Sequence, residues 1–262
     1  MNYEQVQNQI IKLIRSMTGA YNLYNIWRDF LVLASCTISN SVDKRQWEKR
    51  EKMYMDTIKK YSKSEADKFA EMLALVVMGL DGPRMGDFLG ELYMNLGVSN
   101  KDIGQFFTPY DVSKMMSQFL GTDPNDDGII TLNEPTCGSG GMIIAYAETL
   151  KKEDINYQEK LRVVCQDLDH DVVKMAYIQL SLLGIDAVIM QGNTLTLQMN
   201  EFWYTPMHFI NLAKEKQVKQ GEQTKRMVDA MQQIIALEKP VKDEVANDFE
   251  QTTIFEFLEV AE

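Results

Sequence analysis

Glu134-Pro135-Thr136-Cys137-Gly138-Ser139-Gly140-Gly141 stands between an apolar run at 129–132 and a second one at 142–147. The first run reads as a strand and the second opens a helix, which makes the octapeptide the turn between them. Its glycines let the backbone pass close to a ligand with no Cβ in the way. The helix that follows points unpaired N–H groups into the same space. Strand, glycine-rich turn and helix are the parts needed to hold an adenosine-bearing cofactor. A glycine-rich turn alone is a weak signal, and the flanking sequence has to support it.

Outward from the turn, strands and helices alternate. The runs 161–165 and 187–190 predict a second and third strand, and 142–151 and 171–183 predict helices, the latter ended by Gly184. Such alternation implies a parallel, doubly wound sheet whose ligand sits at the carboxyl ends of the strands. Glu134, Asp167 and Asn193 fall at those three ends. Glu134 can accept a hydrogen bond from a cofactor ammonium or a backbone N–H. Asp167 is placed to accept both ribose hydroxyls, and the Asn193 side chain to pair with an adenine edge. Singly, Asp167 and Asn193 are also good helix caps.

Residues 1–97 show helical spacing, as in Val6, Ile10, Ile11 and Ile14. A helix opens at 62–64, Asp81-Gly82-Pro83 breaks it, and 85–96 and 110–120 read as further helices. After residue 206 the chain is polar and periodic to Pro240, with no strand candidate. The expectation is an α/β protein: a helical domain at 1–110, a truncated Rossmann-like domain at 111–206 and a helical, acidic extension at 207–262.

Of the net charge of −11, residues 1–110 contribute +1 and 111–262 contribute −12. Nucleic-acid binding draws on basic surface, so the N-terminal half or a partner would have to supply it. Three scattered cysteines and two histidines argue against a disulfide framework or a metal site. No signal peptide or membrane span is read, and a cytoplasmic location is expected. The abundant methionines at apolar positions, Met115 and Met175 among them, read as core filler.

Gly104-Gln105-Phe106-Phe107-Thr108-Pro109, then the octapeptide at 134–141, then Gln166-Asp167, then Gly192-Asn193-Thr194-Leu195 resemble the ordered motifs of N6-adenine DNA methyltransferases. The resemblance is strongest to the modification subunit of type I restriction–modification systems. Gly86-Asp87-Phe88-Leu89-Gly90-Glu91-Leu92-Tyr93 is similar to the helix that precedes the first motif in that family. The resemblance implies S-adenosylmethionine as cofactor. Phe107, Thr108 and Pro109 would border its methionine end. Glu134, Thr136, Gly138, Ser139 and Gly140 would cradle it. Asp167 with Leu168 would hold the ribose, and Asn193 with Thr194 the adenine. The family usually has Asp where Asn193 stands. The implied partners are DNA and a specificity subunit or a second copy of the chain.

The family's catalytic motif, Asn- or Asp-Pro-Pro followed by Phe or Tyr, is missing, since no Pro-Pro occurs in the chain. Asn200-Glu201-Phe202-Trp203-Tyr204-Thr205-Pro206 is the nearest stand-in. Either it is a remodelled catalytic loop, with Trp203, Tyr204 and Pro206 at the target base, or the chain is an inactive cofactor-binding module that regulates or contacts other proteins. Core packing or covering of the open sheet edge is the plain alternative for the two aromatic residues.

Two further patterns are set aside. Residues 123–134 match the twelve-residue calcium loop, but Pro135 and the glycine-rich turn follow where a helix is required. Lys44, Arg45, Lys49, Arg50 and Lys52 alternate with Asp43, Glu48 and Glu51, which reads as a solvated helix face.

Overall fold

The computed structural model describes residues 2–97 and 107–237, with side chains as far as residue 230. Gly104, Gln105, Phe106 and the apolar stretch 254–258 lie outside the described residues. In chain order the elements are α1 (Tyr3–Arg15), α2 (Leu23–Val42), α3 (Trp47–Ile58), α4 (Lys63–Leu80), α5 (Phe88–Leu96), α6 (Tyr110–Ser117), β1 (Ile130–Glu134), α7 (Gly141–Lys152), α8 (Tyr157–Lys160), β2 (Leu161–Asp167), α9 (His170–Leu182), β3 (Asp186–Asn193), β4 (Gln198–Tyr204) and α10 (Pro206–Leu237). The chain is thus an α/β protein with a helical N-terminal region, a Rossmann-like sheet and a helical C-terminal segment.

Local chemistry sets the helix starts. Asn2 with Gln5 and Ser62 with Glu65 form capping boxes that satisfy the first free N–H groups of α1 and α4. Asp87 accepts from Gly90 N and so opens α5 at Phe88, not at Met85 as the apolar pattern suggested. Asp169 caps α9 through Asp171 N and Val172 N. The turn before β1 is closed by Asn125, whose Oδ1 accepts from the N–H groups of Asp127 and Ile129. This Asx turn orders the segment that carries the calcium-like pattern.

The sheet order is β1-β2-β3-β4. β1, β2 and β3 are parallel, with Glu134 opposite Cys165 and Asp167 opposite Gln191. Right-handed crossovers in this order put α7 and α9 on one face. β4 adds a strand beyond the three that the sequence predicts: the segment offered as a remodelled loop or as cover for the sheet edge is a strand, antiparallel to β3, with Trp203 opposite Ile189 and an irregularity at Gln191/Gly192. Its sequence, mostly polar through Glu201 and then Phe202-Trp203-Tyr204, lacks the Val/Ile run of the interior strands and so does not announce a strand.

α9 organises the core. Every residue from Asp171 to Leu180 is buried. One side of the helix meets the sheet and another meets α2, whose Tyr24 hydroxyl donates to Asp171 Oδ2 at 3.0 Å. Trp27, Phe30, Met72, Phe88, Ile143, Tyr177 and Trp203 are among the fully buried residues of one continuous apolar cluster. The chain divides into two compact units, one ending at Glu215 and one beginning at Lys216. In the first, α10 is tethered by Asn211, which donates to Asp186 Oδ2 at 2.9 Å. In the second, the described side chains 216–230 are exposed. No described helix is long and apolar enough to cross a membrane.

Candidate functional site

The three parallel strands deliver Glu134, Asp167 and Asn193 to one edge of the sheet, as their spacing predicted. The glycine-rich turn is fastened there by backbone bonds. Cys137 N donates to Gln166 O at 2.8 Å, and Gly140 N to Cys137 O at 2.9 Å. Gly138 N donates to Asp167 Oδ2 at 2.9 Å, while Asp167 Oδ1 accepts from Asp169 N at 3.1 Å. Gly138 and Gly140 have φ of 55° and 95°, a backbone that side chains with a Cβ rarely adopt. A Cβ on Gly138 would also press against the Phe107 ring, at 3.3 Å.

Beneath the turn lies a buried network that sequence reasoning missed. Asp87 accepts from the Ser139 hydroxyl, from Gln179 Nε2 at 2.9 Å and from Gly90 N at 3.0 Å. Gln179 Nε2 also donates to Ser139 O at 2.8 Å, and its Oε1 accepts from Leu89 N at 2.9 Å. One carboxylate thus joins α5, the turn and α9. Burial raises the Asp87 pKa, opposed by the hydrogen bonds from Ser139 and Gln179. The usable signal was its place as a helix cap at the head of the Gly86–Tyr93 stretch.

The turn, with Asp87 and Ser139 of this network, walls a cleft of about 460 Å³, within the range of small-molecule sites. Of the predicted cofactor residues it gathers Phe107, Thr108, Glu134, Thr136, Gly138, Ser139 and Asp167, and it adds Asp87, Ser113, Met116, Met142 and Val172. Pro109, Gly140, Leu168, Asn193 and Thr194 do not line it. Pro109 precedes α6, and Gly140 opens α7. Leu168, next in the chain to Asp167, is 64% exposed. Asn193 Oδ1 is engaged in its own turn, accepting from Leu195 N at 2.9 Å. Thr194 Oγ1 donates to Pro135 O at 2.6 Å and accepts from Gln166 at 3.1 Å, binding the end of β3 to the turn.

The aromatic segment lies elsewhere. Trp203 is 1% exposed, packed on Tyr177 with ring centroids 4.9 Å apart and covered by the Arg50 guanidinium 3.1 Å from its ring centre. Tyr204 stacks on His208 at 5.4 Å, and Pro206 opens α10. None of Trp203, Tyr204 and Pro206 lines the cleft.

The model of the N-6 DNA methylase family matches residues 85–237, more than half of the chain. The chain belongs to the N-6 DNA methylase family. Among solved structures, this N-6 DNA methylase chain is similar to the type I restriction–modification methyltransferase subunit from Streptococcus thermophilus, at 16% identity and TM-score 0.42, over 74% of this chain and 59% of that one. It is also similar to a candidate class I S-adenosylmethionine-dependent methyltransferase from Listeria monocytogenes, at 11% identity and TM-score 0.36, over 67% of this chain and 55% of that one. The modification subunit of a candidate type I restriction enzyme from Vibrio vulnificus gives 19% identity and TM-score 0.32, over 57% of this chain and 28% of that one. The chain therefore spans less than two thirds of the length of each.

Proposed function

We propose that this chain binds S-adenosylmethionine in the cleft and serves the N6-methylation of adenine in DNA. The observation that carries the proposal is the charge of the cleft wall. Asp87, Glu134 and Asp167 line it, and among the described residues no lysine or arginine does. A ligand bearing a sulfonium and an ammonium is stabilised by such a wall, whereas the pyrophosphate of a dinucleotide is repelled. The positive-φ glycines supply the close backbone approach. When bound, the cofactor supplies an activated methyl group.

The chain's own residues then have distinct tasks. Asp167 uses one lone pair of each oxygen on backbone N–H groups, and the others remain for ribose hydroxyls. Leu168, exposed next to Asp167, offers an apolar face for the adenine ring. Glu134 accepts from Thr136 at 3.2 Å and keeps capacity for an ammonium. Phe107 and Thr108 border the methionine end. Asn193 and Thr194 act from behind, fixing the end of β3 against the turn. DNA is the substrate, and a specificity subunit or a second copy of the chain chooses the sequence.

A second reading rests on the burial of Trp203. With that ring held under Arg50, the segment 200–206 serves packing, and the chain is a cofactor-binding module that regulates or completes a modification complex. Calorimetry with S-adenosylmethionine, followed by transfer of labelled methyl to unmethylated DNA, separates the two. Heat and incorporation, both lost in Asp167→Ala, support the enzyme. Heat without incorporation on any DNA supports the module. No heat rejects both readings.

A further inference from the structure

A second hollow, larger than the cofactor cleft, lies among the described residues. It has a volume of about 770 Å³ and is walled by α2, α3, the first turns of α9 and the middle of β4. His170 and Lys174 line it, while Val172 lines the cleft. Positions 170 and 174 share one face of a helix and 172 lies on the opposite one, so the two cavities flank the head of α9.

Their charges are opposite. Arg28, Lys49, Lys60 and Lys174 face the hollow against two carboxylates, Asp29 and Glu201. Asp29 holds Lys60 at 3.1 Å, and Glu201 holds Lys49 at 3.0 Å. Arg28 and Lys174 are less committed. Both approach Asp171 Oδ1 only to 3.8 and 3.7 Å, beyond hydrogen-bond reach, and that oxygen has no hydrogen-bond partner. Lys174 Nζ donates to His170 O at 2.9 Å, which uses one of its three N–H groups. Its side chain is 8% exposed, so this cation is buried at the wall of an open space. The outer edge of the hollow continues along α3 into a shallower depression that adds Lys52 and Asp56, the latter already paired with Lys59 at 2.6 Å.

We propose that this hollow and the α3 edge seat backbone phosphates of the DNA strand, with Arg28 and Lys174 as the phosphate donors. A chain of net charge −11 must concentrate what positive surface it has in order to hold DNA. Here it does so beside the head of the helix whose other face borders the cofactor cleft. Burial lowers the Lys174 pKa, and an incoming phosphate adds a close counter-charge to an ammonium whose carboxylate partner, Asp171, stands 3.7 Å away. The lysines at 49 and 52, set aside in the sequence as a solvated face, fall on this path. That the phosphates belong to DNA rests on the proposed function; that the hollow takes an anion rests on its own side chains.

The test is fluorescence anisotropy of the full chain with a labelled DNA duplex, between about 50 and 200 mM salt. Arg28→Gln and Lys174→Met should each weaken binding about tenfold and lower the salt slope by about one. Cofactor affinity by calorimetry should stay as in the unaltered chain. Arg28 is 60% exposed, so its variant folds even where loss of Lys174 disturbs Asp171. Unchanged affinity and slope in Arg28→Gln overturn the proposal, as does absence of duplex binding by the unaltered chain at the lowest salt. Inorganic phosphate or a nucleoside triphosphate binding through these residues, with the duplex indifferent to them, also overturns it and leaves a free-anion site. Failure of the cofactor reading appears separately, as absent heat with S-adenosylmethionine.

Discussion

Glu201 shows how a single residue can link the helical layer to the sheet. Its carboxylate meets Arg50 at 2.7 Å, and Arg50 is 1% exposed. Burial alone would raise the Glu201 pKa, but Arg50 and Lys49 outweigh it and the net shift is downward. A carboxylate with a depressed pKa stabilises the fold above its unfolded-state value, and that stability is lost as pH falls through the folded-state value. Glu201→Gln leaves the Arg50 charge buried with no counter-ion and should cost about 3 kcal/mol at pH 7. The gap from the unaltered chain should narrow as the pH approaches 3. Urea unfolding at both values checks this, and a cost independent of pH would sink it. At the cleft, Gly140 makes a comparable point about backbone. Its φ of 95° is costly for alanine, and Gly140→Ala should lose about 1–2 kcal/mol in thermal unfolding and weaken S-adenosylmethionine binding in calorimetry. An alanine variant with unaltered melting and binding would show that the turn does not depend on that conformation.

At the scale of elements, the junction of α5, the glycine-rich turn and α9 carries the site. A Cβ on Gly90 would fall on the Asp87 carboxylate and the Ser139 hydroxyl, both inside the buried network. Gly90→Ala should therefore destabilise by about 1–3 kcal/mol and displace the turn. Gly221→Ala, with nothing within 4 Å of its Cβ, should show neither effect. Melting and cofactor affinity measured together distinguish a displaced turn from general weakening. The same junction shows what the sequence could tell. The strand ends at Glu134, Asp167 and Asn193 were legible because apolar runs and glycines punctuate the chain locally. Asp87 was not, because its partners Ser139 and Gln179 lie 52 and 92 residues away, and nothing local announces such a contact. β4 was hidden for a related reason. An edge strand that packs Trp203 inward while exposing Asn200 has the composition of a loop, and its pairing with β3 is a tertiary fact.

For the whole molecule, α9 is the shared element. The helical layer reaches it through Tyr24 on Asp171 and through Asp87 on Gln179, and reaches the sheet through Arg50, which also donates to Phe202 O at 3.0 Å. The change of texture near residue 110 therefore does not mark a gap in contacts, since residues up to Glu215 form one compact unit. Stability should follow those contacts. With fluorotryptophan in place of the three tryptophans, Trp27 reports on the helical layer and Trp203 on the sheet, both fully buried. Their fluorine resonances should lose native intensity at the same urea concentration, and separate midpoints would establish two independent domains split near residue 110. Cofactor makes the comparison sharper. At 100 times its Kd, S-adenosylmethionine should stabilise the native state by about 2.7 kcal/mol. If the unit is cooperative, that gain must appear at Trp27 as fully as at Trp203, although Trp27 does not line the cleft.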